Sequence, residues 1–232
     1  MAQRNQIQVY RNSSYLCRTM SPNKKQRSLL SSLREELSRN DVDAFIVGSG
    51  DAHQSEYVCK SDMRRQFITG FSGSAGTALI LKDKALLWTD GRYFLQAKME
   101  LSEDWTLMKS GEPSVLDMND WLVANMKKDE NVGVDASLIS TEQAKKIAAI
   151  LGPHGIILKA MKSNPVDTVW NAEGSRPPFP CGLVEVHDIS VAGIEHKMKI
   201  QTLQERIRAV KATSMIVSML DEVRSIIEIL SG

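Results

Sequence analysis

The densest group of polar side chains that could do chemistry is the run DAHQSEY at residues 51–57. It follows a short apolar stretch, 44–47, that predicts a buried strand, and loops at the carboxyl ends of strands are where α/β folds bind ligands. Asp51, His53 and Glu56 carry carboxylate and imidazole groups, which suit manganese or zinc. His53 and Glu56 supply only two ligands at this spacing, however. A hydrogen-bonded loop is therefore the simpler interpretation, and we predict no metal site here.

A glycine-rich stretch, GFSGSAG at residues 70–76, precedes a predicted strand. A dinucleotide-binding loop needs GxGxxG between a strand and a helix, and a P-loop ends in GK followed by Ser or Thr. The spacing here is GxxGxxG, and no lysine follows it. A phosphate cradle is thus the lesser alternative. We predict instead that these glycines allow tight packing of the backbone.

Arginines form the third group of candidates. In WTDGRY, residues 88–93, Arg92 stands among aromatic residues at a predicted strand-to-helix turn. A guanidinium can bind a carboxylate or a peptide carbonyl there, and the alternative is a structural ion pair with Asp90. Arg64 and Arg65 are interpreted as a solvated charge pair. The few histidines lack a partner serine or cysteine, so we predict no catalytic residue in this chain.

The elements that must position these residues alternate between strands and helices. Apolar spacing predicts a helix from Leu29, and two strand-like runs, 77–81 and 85–88, flank a charged turn and so predict a hairpin. Six further elements are predicted: helices near 94–99, 116–126 and 144–151, and strands at 105–108, 132–134 and 156–158. This order predicts an α/β fold with a mixed β-sheet flanked by helices.

Composition divides the chain into segments. Residues 1–27 are basic, contain no Asp or Glu, and are predicted to form a flexible tail. Residues 28–162 hold the alternating elements and are predicted to form the first domain. Four of the seven prolines fall within 163–182, which we predict to be a linker.

Residues 183–232 repeat the start of the first domain. A helical apolar face formed by Ile200, Leu203 and Ile207 precedes a strand-like run, Met215–Met219, and both align with the first helix and strand at an offset of 170 residues. One helix and one strand cannot bury both of their faces. We therefore expect this segment to be the incomplete start of a second, related α/β domain.

The overall composition excludes several classes of partner. The chain has 232 residues and a formal net charge of +1, which gives no electrostatic reason to expect nucleic acid or an anionic membrane. No apolar run approaches the ~20 residues that a membrane-spanning helix needs. The three cysteines lie far apart, which favours a reducing compartment. We expect a cytoplasmic protein, and the basic, serine-rich N-terminus leaves an organellar location as the alternative.

Several stretches of the sequence, taken in order, resemble one known family. DAHQSEY (51–57), GFSGSAGT (70–77) and WTDGRYFLQA (88–97) closely resemble the N-terminal region of cytosolic-type Xaa-Pro aminopeptidases, also called aminopeptidase P. Three later stretches continue the similarity in the same order: WTLM, VGVD and NPVDTVW. The resemblance spans about residues 28–223. It implies a creatinase/prolidase-type N-terminal domain, a second related domain, and a C-terminal domain that carries two manganese ions.

The resemblance also implies a function. Such enzymes remove the N-terminal residue of a peptide that has proline in second position, using a water molecule activated by the metal pair. The arginine of their WTDGRY motif contacts the peptide, and that position is Arg92 here. His53 and Trp88 are secondary candidates for peptide binding.

The sequence departs from the family after residues 220–223. It continues as RSIIEIL where the family has an Ala-Trp-Leu-type run, and none of the metal ligands has a counterpart. We therefore expect a chain truncated before the metal domain, without a cofactor of its own. It would be the substrate-capping and assembly region of the aminopeptidase, inactive alone. The alternative is a non-catalytic interaction protein that associates with full-length subunits.

Overall fold

The computed structural model describes residues 22–186, 188–227 and 229–231, so most of the predicted N-terminal tail lies outside the described residues. The first part of the chain contains α1 (Pro22–Arg39), β1 (Ala44–Val47), α2 (Arg64–Thr69), β2 (Thr77–Leu81), β3 (Ala85–Thr89), α3 (Phe94–Glu100), β4 (Thr106–Lys109), α4 (Met118–Asn125), β5 (Asn131–Asp135), α5 (Thr141–Leu151), β6 (Ile157–Met161) and α6 (Pro165–Glu173). Two short 3-10 helices lie at Lys60–Asp62 and Gly152–His154. The later part contains β7 (Val184–Val186), α7 (Ile189–Ala192), α8 (His196–Ala209), α9 (Leu220–Ile227) and β8 (Ile229–Ser231).

A six-stranded mixed sheet organises the first part, with the order β4-β3-β2-β1-β5-β6. β2 is antiparallel to both β1 and β3, and the remaining neighbours are parallel. The predicted hairpin and the predicted mixed sheet are thus confirmed. Because only β2 runs the other way, β1, β3, β4, β5 and β6 all end at one edge of the sheet, and β2 begins there.

The sheet buries an apolar layer on each face. Successive residues of β2 and β3 alternate between the two layers, as the pleat of a strand requires: Ile80 and Leu87 join one cluster, and Leu79 and Leu86 join the other. Helices α1 and α6 pack in the first cluster, and α4 and α5 pack in the second. None of the described helices is both long and apolar enough to cross a membrane.

Helix α1 confirms the predicted helix at its apolar positions. Its buried leucines recur every three or four residues and form one face: Leu29, Leu30, Leu33 and Leu37. Helix α6 covers this face, with Val166 and Val169 buried in the same cluster.

Helix α6 lies inside the stretch 163–182 that we predicted to be a linker. The Asn164 side chain caps it by accepting a hydrogen bond from the Val166 backbone N–H at 2.9 Å, and Pro165 occupies its first turn. Proline is favoured at this position because the N–H that it lacks has no partner within the helix. The proline that suggested a linker here therefore starts a helix.

In the later part of the chain, the structure confirms the predicted helix but not the predicted strand. Helix α8 contains the predicted apolar positions, but residues 214–219 form neither helix nor strand, so the predicted strand Met215–Met219 is wrong. A strand needs a neighbouring strand to satisfy its backbone. Among the described residues, none pairs with this run, and Ile216 is 92% exposed.

Candidate functional site

Three loops that carry the candidate residues meet at one edge of the sheet. The loop 48–57 follows β1, the turn 90–93 follows β3, and the glycine-rich turn 70–76 enters β2 between them. Neighbouring strands lie about 4.8 Å apart, so the ends of β1 and β3 are separated by about 10 Å. The topology therefore brings together the three groups of residues that the sequence had singled out separately.

Asp51 organises the loop after β1. Asp51 is buried, and its Oδ1 accepts hydrogen bonds from the backbone N–H groups of His53 and Ser55, both at 3.0 Å. Burial alone would raise the pKa of Asp51, but these hydrogen bonds outweigh it and the pKa is lowered, which keeps the carboxylate ionised. His53 and Glu56 extend into solvent. This is the hydrogen-bonded loop that the simpler interpretation predicted.

The described residues do not provide a metal centre. In residues 22–186, 188–227 and 229–231, no three His, Cys, Asp or Glu side chains are grouped so that they could hold a metal ion. Asp51 already accepts two backbone hydrogen bonds within its own loop. The donors present do not fit the manganese pair that the family resemblance implies, so no metal-dependent step is assigned to these residues.

Arg65 holds the glycine-rich turn in place. Its Nη1 donates to Ser49 Oγ at 2.6 Å and to the Gly76 carbonyl at 3.1 Å, and its Nη2 donates to the Gly73 carbonyl. The guanidinium also lies 5.0 Å from the centre of the Phe71 ring. Arg65 is only 6% exposed, and burial lowers its pKa to about 10.

The glycines of this turn allow the close backbone contacts that we predicted. A Cβ atom on Gly76 would stand 2.9 Å from the carbonyl oxygen of Trp88. The turn is further tied to the end of β3, since Thr89 Oγ1 donates to the Ala75 carbonyl at 2.6 Å and the Ser74 and Tyr93 hydroxyls lie 2.6 Å apart. The turn thus fixes the position of the residues that follow β3.

Arg92 follows β3 and forms an ion pair with Asp90. Its Nε and Nη2 donate to the two carboxylate oxygens at 2.9 Å and 2.8 Å, and its guanidinium lies 5.2 Å from the Tyr93 ring centre. Hydrogen bonds from Arg92 lower the pKa of Asp90 to about 2, and the pair in turn raises the pKa of Arg92. The Arg92 side chain is 69% exposed, so its remaining donors face solvent.

Trp88 is a core residue. It is 5% exposed, its indole Nε1 donates to the Leu116 carbonyl at 2.9 Å, and its ring meets Trp121 edge-on with centroids 6.1 Å apart. A side chain that its own chain covers so completely cannot contact a peptide at the sheet edge. The expectation that Trp88 binds the peptide does not fit this position.

Arg64 and Arg65 are buried, which corrects our interpretation of them as a solvated pair. They are 8% and 6% exposed. Arg64 forms ion pairs with Asp62 at 2.8 Å and with Asp167 at 2.7 Å, and Arg176 approaches Asp167 to 3.3 Å. No local pattern indicates this arrangement, because Asp167 lies 103 residues from Arg64 along the chain.

A small cleft opens beside these loops at the same edge of the sheet. Its volume is about 220 Å³, and Arg65 lines it together with polar and aromatic side chains of the loop after β1 and of the glycine-rich turn: Ser49, Glu56, Tyr57, Ser72 and Ser74. The cleft is smaller than the ~300–1,000 Å³ of typical drug-sized ligand sites.

The sequence of this chain is similar to those of known proteins. The creatinase/prolidase N-terminal domain matches residues 30–162. A probable Xaa-Pro aminopeptidase P of Laccaria bicolor is 44% identical over 194 residues, which are 84% of this chain and 30% of that protein. Aminopeptidase P2 of Arabidopsis thaliana is 39% identical, with 84% and 28% of the two chains covered.

A solved structure shows the same fold. The X-prolyl aminopeptidase of Caenorhabditis elegans, described as a cytosolic enzyme with a di-nuclear active site, superposes with a TM-score of 0.79 and 31% identity, covering 88% of this chain and 34% of that one. The chain thus spans about a third of the length of the relatives that it matches. The sequence match over residues 30–162 and the six-stranded sheet lead to the same conclusion: the chain belongs to the creatinase/prolidase N-terminal domain family.

Proposed function

We propose that this chain is the substrate-capping and assembly region of a manganese-dependent aminopeptidase that releases the residue preceding proline, and that Arg92 contacts the peptide. The observation that carries the proposal is the position of Arg92, an exposed arginine in a fixed geometry at the edge of the sheet. The chain that carries Arg92 is similar to a probable Xaa-Pro aminopeptidase P over 84% of the chain's length.

The ion pair with Asp90 and a contact with the peptide are compatible. Asp90 uses the Nε and Nη2 edge of the guanidinium, which leaves Nη1 to donate to a peptide carbonyl. Holding the side chain in one geometry before the peptide arrives reduces the entropy lost on binding. Because the pKa of Asp90 is about 2, the pair stays ionised at neutral pH.

His53 remains in the proposal as a secondary peptide contact, since it is exposed on the loop after β1 at the same edge of the sheet. The manganese ions, and the water that they would activate, belong in this proposal to the part of the related proteins that the chain does not span. A cytoplasmic location is part of the same proposal.

The first test is an activity assay of the purified chain. We expect no release of the N-terminal residue from a Xaa-Pro peptide in the presence of manganese, because the described residues offer no group of metal ligands. Turnover that depends on manganese would contradict this expectation, and Asp51, His53 and Glu56 would then be the first residues to substitute.

A chimera tests Arg92 directly. Residues 28–227 would replace the matching region of the C. elegans enzyme, and Arg92→Ala would be compared with Arg39→Ala, an exposed arginine on α1 that pairs with Glu35 and Glu36. We expect Arg92→Ala to lower kcat/KM roughly 10- to 100-fold and Arg39→Ala to leave it unchanged. Equal activities of the two variants would refute the role of Arg92.

A second candidate function is a non-catalytic partner of full-length subunits. The observation that favours it is the apolar surface of the later part of the chain, where Leu183, Val186 and Ile216 are 84%, 82% and 92% exposed. Comigration of the chain with a full-length relative in size-exclusion chromatography would support this function. Separate elution of the two proteins would count against it.

A further inference from the structure

The cleft beside the glycine-rich turn contains a buried positive charge that no described residue neutralises as a counterion. Arg65 lines it, and among the described residues no carboxylate forms an ion pair with this guanidinium. Its Nη atoms donate to Ser49 and to two backbone carbonyls, which carry no net charge. Its buried Nε has no hydrogen-bond partner within the described ranges.

The neighbouring arginines show what is unusual about Arg65. Arg64 and Arg92 each place Nε and Nη2 on the two oxygens of an aspartate, Asp167 and Asp90 respectively. Arg65 has no such aspartate in the part of the chain that the structure describes, and it is 6% exposed. A buried cation is costly unless it is paired, because little solvent is present to screen it. An anion that enters the cleft therefore gains from this charge.

We propose that this cleft, the Arg65 cleft, binds a small ligand through its carboxylate, with Arg65 supplying the charge and the hydroxyl group of Ser74 supplying a hydrogen bond. The site is separate from the peptide contact proposed for Arg92 and does not depend on it. Its volume of about 220 Å³ limits the bound part of the ligand to a small acid or the end of a peptide.

The charges around the cleft favour a carboxylate over a phosphate. Arg65 is the one cation that lines it in the described part of the chain, and the carboxylate of Glu56 lines it as well. On the outer side of the turn, Glu100 accepts hydrogen bonds from the Ser72 backbone N–H and hydroxyl at 2.7 Å and 2.8 Å. One cation near two carboxylates attracts a monoanion more readily than a dianion.

The test is a titration of the full chain followed by NMR of its backbone amides, with ionic strength held constant. We expect N-acetylglycine to cause saturable shifts at residues 56–58 and 72–76, and glycinamide, which lacks the carboxylate, to cause none. A peptide with a free C-terminus is compared with its amidated form. Tighter binding of the free peptide than of N-acetylglycine identifies a peptide end as the ligand, and the reverse order identifies a free acid.

Substitution of Glu56 tests the role of charge without disturbing the buried arginine. Glu56→Gln removes an exposed carboxylate from the lining, and we expect it to tighten carboxylate binding about two- to fivefold. Glu142→Gln, the same change on an exposed residue of α5, should have no effect. The proposal is overturned by an absence of saturable shifts up to roughly 50 mM ligand, by equal responses to glycinamide, by tighter binding of inorganic phosphate, or by equal affinities of the two variants.

Discussion

Arg64 and Asp167 are joined by two parallel hydrogen bonds although 103 residues separate them along the chain: Nε donates to Oδ1 at 2.7 Å, and Nη2 donates to Oδ2 at 3.0 Å. Arg176 extends this contact, since it lies 3.3 Å from Asp167 and 3.8 Å from Asp62. The start of α2, the first turn of α6 and the segment after α6 are thereby tied together.

Substitution of Asp167 by asparagine should destabilise the protein. Asp167→Asn keeps the shape of the side chain but removes the charge that faces Arg64, whose side chain is 9% exposed. We expect a loss of about 2 kcal/mol in the free energy of unfolding, because Asp62 is then the one counterion that the described residues leave to Arg64. Urea denaturation measures this loss. Asp129→Asn, at an exposed residue with φ of 69° that asparagine also tolerates, is the control. Equal stabilities of the two variants would contradict the stabilising role of the ion pair between Arg64 and Asp167.

The hydrogen bonds to Asp51 make part of the stability depend on pH. The pKa of this carboxyl group is lower in the folded chain than its ordinary value of 3.8, so its contribution is fully present above that value and is lost as pH falls through the lower folded pKa. Asp51→Asn should cost about 1 kcal/mol between pH 5 and 8. We expect the difference from the unsubstituted chain to shrink below pH 4. Chemical denaturation over this pH range measures it, and a constant difference down to pH 2 would be inconsistent with this role.

A methyl group on Gly76 should disturb the sheet edge. The added Cβ would lie 2.9 Å from the Trp88 carbonyl oxygen and 3.1 Å from Arg65 Nη1, and the first of these atoms belongs to the backbone of β3 and cannot turn away. We expect Gly76→Ala to cost about 1–3 kcal/mol in thermal or urea unfolding. Gly48→Ala, where no described atom beyond the adjacent residues lies within 4 Å of the added Cβ, should change stability by less than about 0.5 kcal/mol. Similar losses in both variants would argue against the close contact.

Limited proteolysis should separate the two parts of the chain. The region from 183 to 219 exposes many apolar side chains, whereas α1, the six-stranded sheet and α6 enclose two buried clusters. Beyond residues 1–27, which we predict to form a flexible basic tail, we expect trypsin to cut first within 183–219, because regions with few buried contacts open most often. Mass spectrometry of early fragments would show this order. Early cleavage within 28–173 would show that the first part is the less stable one.

Local patterns predicted most elements of the first part because each of those has its own periodicity, whereas α2 was not predicted and α6 lies in the predicted linker. The hairpin of β2 and β3 needs only two apolar runs and a charged turn, and the register Ala78–Leu87 joins residues that are close in sequence. The family resemblance then pointed to the loops that the sheet brings to one edge. The meeting of these loops depends on the strand order, which local periodicity does not contain.

The predictions that failed share a physical cause: the residues that decide the local structure are distant in sequence or absent from the described part of the chain. Arg64 and Arg65 appear as solvated charges until Asp167 and the glycine-rich turn are placed against them. The WTDGRY motif drew attention to Trp88, but alternation along β3 turns this side chain into the core. The run Met215–Met219 has the composition of a strand, yet no described strand lies beside it.

Helix α6 covers the leucine face of α1, although the two helices lie at opposite ends of the first part of the chain. During synthesis α1 emerges from the ribosome well before residues 165–173 have been made. The central strand β1 likewise receives β5 only after residue 131 has been added. The nascent chain therefore exposes an apolar helix face until residues 165–173 have been added and an open strand edge until β5 has been added, and chaperones would bind these surfaces during that interval.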